Sequence, residues 1–130
     1  MCNVDRSKAV LDTPEMEFVS LPNGFEDRFD TSGVELWVLA DLQSAEVART
    51  HVARYVPHSV LGRHPTKLWQ LFMVVDGSGW VSGADDERCP IKAGQAVMWK
   101  PGESHASGSD DGMLAVMVAS TTELTLLRWQ

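Results

Sequence analysis

The chain has little of what many catalytic and targeting signatures are made from. It holds two cysteines in 130 residues, Cys2 and Cys89, far apart and in no Cys-x-x-Cys pair. No disulfide framework is expected from them, and neither is given a redox or ligand role. Basic residues are few, 11 Lys and Arg against 18 Asp and Glu, and the resulting formal net charge of -7 repels phosphate backbones. Nucleic acid is therefore not an expected partner. Long apolar runs are missing, the longest strongly apolar stretch being Leu71 to Val75, far below the ~20 residues of a membrane span. Met1 to Val10 carries Asp5, Arg6 and Lys8 without the apolar stretch of a signal peptide. No membrane partner and a cytoplasmic location follow as expectations. A glycine-rich phosphate loop ahead of a helix, a Gly-x-Ser-x-Gly elbow and a basic stripe are all lacking, which removes the nucleotide-enzyme and serine-hydrolase classes.

Helical patterning is lacking too, since no segment offers a sustained apolar stripe with caps. What is present reads as β structure. The hydrophobic share of 44% and charged share of 22% are ordinary for a globular protein, and a chain of this size makes one domain that buries roughly two thirds of its unfolded surface. Residues 1–32 mix charges with Pro14, Pro22, Asn23 and Gly24 and read as an N-terminal arm with one or two short strands. The arm's Met16, Phe18, Val19, Leu21, Phe25 and Phe29 need burial, against an open end of the domain or a second subunit. Residues 33–130 form the domain proper. Strands are expected over Val34–Ala40, Val47–Val56 with Pro57 ending it, Leu68–Val75, Trp80–Ser82, Arg88–Lys92, Ala96–Lys100, Met113–Ala119 and Thr122–Trp129. Asp76-Gly77-Ser78-Gly79 supplies positive-φ residues and reads as a tight hairpin.

Two histidine-bearing units stand out on this background, His58 to Gly77 and Gly94 to Ser109, with residues 78–93 between them. The first places His58, His64, Thr66, Gln70 and Gly77 at fixed intervals, and the second places Gly94, Lys100, Gly102, His105 and Ser109. This spacing resembles the two short motifs of the cupin family. The first motif of that family runs Gly, His, His, Glu, Gly, and the second Gly, Pro, Gly, His, Asn. His64, Gly77, Gly94, Gly102 and His105 match, whereas His58, Thr66, Gln70, Lys100 and Ser109 depart from the pattern. The resemblance covers about residues 34–120. It implies an all-β antiparallel jelly-roll, or double-stranded β-helix, with His64 and His105 facing one another in its interior and Gln70 alongside.

The departures bear on chemistry. Thr66 replaces an imidazole and Gln70 replaces a carboxylate, so the metal set implied by the resemblance shrinks to His64, Gln70 and His105. Such neutral donors hold a divalent ion (Zn, Fe, Ni or Mn) weakly. Three readings follow. In the first, a small organic molecule is bound without a tightly held metal, His64 or His105 acts as general base, and Gln70 orients a carbonyl or hydroxyl, as in an isomerase or cyclase. The second is a divalent-metal enzyme, an oxygenase or isomerase. The third is a ligand-sensing domain without turnover. Thr66, Gln70, Phe72 and Met98 are the expected substrate contacts. Alternation points Gln70, Phe72 and Val74 inward and Leu71, Met73 and Val75 outward, so both faces of that strand are apolar and a homodimer is expected. His51, His58, Lys100 and Glu103 are read as surface groups. Among Trp37, Trp69, Trp80 and Trp99, the sequence does not single out which line the interior.

Overall fold

The structure, a computed structural model, describes residues 23–42 and 48–123. Every regular element among them is a strand: β1 (Asn23–Phe25), β2 (Ser32–Leu42), β3 (Ala48–Pro65), β4 (Trp69–Ser82), β5 (Cys89–Lys92), β6 (Ala96–Trp99), β7 (Ser104–Ser109) and β8 (Met113–Ser120). All pairings are antiparallel, and the expected all-β jelly-roll is what they build. Cys2, the apolar residues Met16 to Leu21, Val47 and residues 124–129 of the expected last strand lie outside the described residues. Thr122 and Glu123 are not in a strand.

Closure comes from the two long strands. The first part of β3, Ala48–Tyr55, pairs with β8, and its last part, Ser59–Pro65, pairs with β7. The first part of β4, Trp69–Gly77, also pairs with β8, and Trp80–Ser82 pairs with β7. Each long strand thus changes partner along its length, and β7 and β8 each pair with both of them. A ring β3–β8–β4–β7 results, with β2 and β1 extending one side, and β5 and β6 added along β4.

Both crossings are sharp corners, and both correct the expected strand limits. Pro57 does not end β3. The chain instead turns at His58, whose φ is 63°, and its N–H donates to the Asp110 carbonyl at 3.1 Å. Asp76 to Gly79 is not a hairpin but a corner inside β4, where Gly77 has φ 80° and a Cβ would lie 2.3 Å from the Gly112 oxygen. The positive-φ chemistry of this stretch is the same for a hairpin and a corner. What differs is whether the chain reverses. One strand, β7, lies over a segment rich in Ser and Gly in which none was expected. Pairing on both edges, to β3 and to β4, supplies what its weak intrinsic propensity does not.

The core fills the ring. Alternation along β8 buries Met113, Ala115 and Met117, and they meet Val34, Ala53, Tyr55, Phe72, Val74 and Trp99 from the facing strands. Phe72 and Val74 are fully buried, as the inward reading of β4 requires, while Leu71 and Met73 are half-buried and Val75 is exposed. Cys89 carries a disulfide rather than a free thiol, which corrects the expectation that neither cysteine is bonded.

Candidate functional site

The end of β3 and the start of β7 bring the two motif histidines together. His64 and His105 are direct cross-strand partners, and side chains at paired positions share one face of the sheet. Their ring centroids are 4.6 Å apart at an interplanar angle of 59°. Each ring is tied to the backbone two residues before it: His64 Nδ1 lies 2.6 Å from the Gly62 carbonyl and His105 Nδ1 3.1 Å from the Glu103 carbonyl. A carbonyl can only accept, so in the neutral rings Nδ1 donates and Nε2 keeps a lone pair. His105 is 1% exposed, and its Nε2 is buried without a hydrogen-bond partner. Burial drives the His105 pKa down to about 4, and the adjacent His64 adds to the effect. At neutral pH it is an uncharged acceptor.

Aromatic rings continue the pair in both directions. Trp99, on β6, stacks on His105 at 4.2 Å and 16°, while Phe29, in the loop between β1 and β2, stacks on His64 at 4.4 Å and 13°. Deeper in, Phe72 contacts Trp99 at 5.7 Å and Tyr55 meets Phe72 edge-on at 6.1 Å. The Tyr55 hydroxyl lies 2.7 Å from Ser107 Oγ, and burial pushes its phenol pKa up.

The other expected residues are distributed less uniformly. Gln70 pairs across the sheet with Trp99, which places it on the inward face beside the ring stacked on His105, and its amide nitrogen is 3.6 Å from the Met117 sulfur. Phe72 is in the buried wall. Thr66 is close in sequence, but its hydroxyl is engaged with the Leu68 amide and carbonyl at 3.3 Å in the turn between β3 and β4. Met98 is not brought to the pair: it is the partner of Leu71, on the opposite face of the sheet from Phe72, Val97 and Trp99. His58 stands exposed at its corner, 4.0 Å from Asp110. His51 alternates with Ala53 and Tyr55 on the inward side and is half-buried opposite Met117, not on the surface. Glu103 accepts from the Ala84 and Lys100 amides and fastens two loops.

Trp99, Tyr55 and Ser107 were not singled out from sequence as site residues, and Phe29 was expected only to be buried, against an open end of the domain or a second subunit. Trp99 carried the one usable signal, since it lies on an expected strand six residues before His105. Phe29 reaches His64 because the loop between β1 and β2 lies against Gly62, a contact that no local pattern announces.

For a metal ion, which the motif resemblance implies, this donor set is a weak one. No group of three or more His, Cys, Asp or Glu side chains placed to hold an ion occurs among the described residues. Two imidazole nitrogens and one neutral amide oxygen carry no charge to offset a divalent cation. The residue in place of a further histidine, Thr66, has its hydroxyl committed to its own turn.

No protein-family model and no curated protein matches the chain. Solved structures do. A cupin-2 domain protein of Rhodospirillum rubrum, Rru_A2000, is 9% identical with a TM-score of 0.67 over 92% of this chain and 82% of its own. The polyketide cyclase RemF of Streptomyces resistomycificus is 15% identical with a TM-score of 0.69 over 88% of this chain and 85% of that one. A cupin-like protein of Thermotoga maritima is 17% identical, with a TM-score of 0.67 over 82% of this chain and 86% of that one. At such identities the likeness shows the fold. The chain has the cupin fold.

Proposed function

We propose that this cupin-fold barrel binds a small organic molecule against the His64–His105 pair and acts on it by acid–base chemistry, as an isomerase or cyclase does. The observation that carries the reading is the buried, partnerless Nε2 of His105 beside a second imidazole with the same tautomer. An unpaired buried acceptor costs about 1–3 kcal/mol, and a hydroxyl or N–H of a ligand would remove that cost. The two rings then divide the work. His105, uncharged and poorly basic, accepts a hydrogen bond and fixes the ligand's orientation, and His64, less buried, takes up and returns the proton that moves. Trp99 and Phe72, tilted 54° to one another, form an apolar wall beside them. Gln70 offers its amide oxygen or nitrogen to a carbonyl or hydroxyl. The polyketide cyclase among the structural neighbours supports such chemistry on this fold.

Native mass spectrometry of the purified protein, run beside elemental analysis, tests this directly. A retained organic mass that disappears in His105→Ala and His64→Ala, with no stoichiometric divalent metal, is the expected result. A stoichiometric ion lost in the same variants would replace the reading by a metal-dependent one. A retained molecule released chemically unchanged after prolonged incubation would favour binding without turnover.

A homodimer is part of the proposal. Val75 and Phe25 are exposed, at 42% and 61%, and the outer face of β4 is only half covered, which a second copy would complete.

A further inference from the structure

We propose that the segment Glu26–Thr31 is a lid, and that the Phe29 ring holds the place on His64 that a planar aromatic ligand takes when the lid opens. The ligand class is a flat ring bearing a hydroxyl, a phenol or its fused-ring analogues. The inference rests on reading the histidine pair as the ligand site, and adds what the ligand is and which residue admits it.

Four observations converge. Phe29 and His64 stack at 4.4 Å and nearly parallel, so no ring can enter between them, and a ligand that uses this face of His64 must displace Phe29. Of the rings in the chain of contacts from Phe29 to Tyr55, Trp99, Phe72 and Tyr55 are buried on strands, whereas Phe29 is 44% exposed on a loop. It is the member that can leave without unpairing a sheet.

The loop is also held in a conformation that favours release. Phe29 and Asp30 are consecutive non-glycine residues at φ 61° and 53°, in the left-handed region that a bulky side chain seldom adopts unless its surroundings impose it. Here the surroundings are few and specific. The Phe29 carbonyl oxygen sits against Gly62, where a Cβ would meet it at 1.5 Å, and the Gly62 amide donates to Thr31 Oγ1 at 3.1 Å. The base of the loop is pinned independently, by the Glu26 amide donating to the Val34 carbonyl at 2.9 Å. Opening would therefore relieve the left-handed pair, break one hydrogen bond and exchange one aromatic stack for another. Such an exchange is nearly balanced only for a ligand that itself stacks.

The hydrogen-bonding chemistry fixes the remaining feature. Both Nδ1 atoms face backbone carbonyls, so both Nε2 atoms accept, and an aromatic ligand must bring the donor.

Calorimetric titration of the full chain with 1-naphthol and with 1-methoxynaphthalene, followed in parallel by the ring resonances of His64 and His105, tests the inference. Two variants act on the lid by different routes: Phe29→Ala removes the ring, and Gly62→Ala blocks docking with the ring retained. Both should bind 1-naphthol about three- to tenfold more tightly than the wild type, the scale of one aromatic stack. The methyl ether, lacking the donor, should bind at least fivefold more weakly than the naphthol. Unchanged or weaker naphthol binding in Phe29→Ala, with its circular dichroism intact, would make Phe29 a fixed wall and overturn the lid. Equal affinity for the two probes would overturn the hydroxyl requirement. Absence of any shift at His64 and His105 in all three proteins would remove the ligand site itself, and the lid with it.

Discussion

In the proposed site, the nitrogen of each imidazole that is left bare decides what a ligand must bring. Two carbonyls, of Gly62 and Glu103, orient His64 and His105 alike, a backbone-anchored arrangement that leaves the Nε2 lone pair free on each ring. The histidines were legible in the sequence because their intervals to Gly77, Gly94 and Gly102 are set by strand and turn geometry. Phe29 and the Tyr55–Ser107 pair were not, because contacts spanning 35 and 52 residues leave no local period. Met98 was misplaced for a related reason: only the register of β6 against β4, with Trp99 opposite Gln70, decides which of two adjacent residues faces inward. The depressed pKa of His105 has a measurable consequence. Its folded-state value of about 4 lies below the ordinary 6.5, so the unfolded chain takes up the proton first as pH falls. The stabilisation is complete above about pH 6.5 and is lost progressively down to about pH 4. Urea midpoints across that window should fall more steeply for the wild type than for His105→Gln, which has no such proton to bind. Parallel slopes would mean that the imidazole is not held neutral by burial.

At the scale of elements, the informative feature is the pair of corners. The sequence marked where the backbone leaves the ordinary β region, at Asp76 to Gly79 and around Pro57, but not what it does there. A hairpin and a corner demand the same left-handed residue, and the choice depends on which strands are available to pair beyond it. In β3 the corner residue is His58 at φ 63°, the position at which the cupin motif has glycine. Its side chain is 85% exposed, so little is lost with it. The substitution His58→Gly should therefore raise stability by about 0.5–1 kcal/mol, the left-handed penalty of a side chain less the entropy cost of glycine. Chemical denaturation read by tryptophan fluorescence measures it. A loss of stability would show that the ring's approach to Asp110 outweighs the strain.

For the molecule as a whole, the ring β3–β8–β4–β7 explains why the site is rigid where it is. β3 delivers His64, β7 delivers His105 and β6 delivers Trp99, and each is paired in register with a neighbouring strand at that residue. The contributor that lies off the strands is Phe29, on the loop between β1 and β2 that is proposed to open. Outside the ring, the half-covered face of β4 predicts a dimer, which light scattering at micromolar concentration should register as twice the 14.3 kDa chain mass. A monomer there would leave that face without the partner proposed for it. Within the ring, the proposed function depends on a neutral His105 with a bare Nε2 beside His64. Long-range ¹⁵N–¹H correlation of the histidine rings at pH 7 tests it most directly. His105 should be uncharged, with its proton on Nδ1 and an unprotonated Nε2 whose resonance moves when 1-naphthol is added. A charged ring, or a proton resident on Nε2, would contradict it.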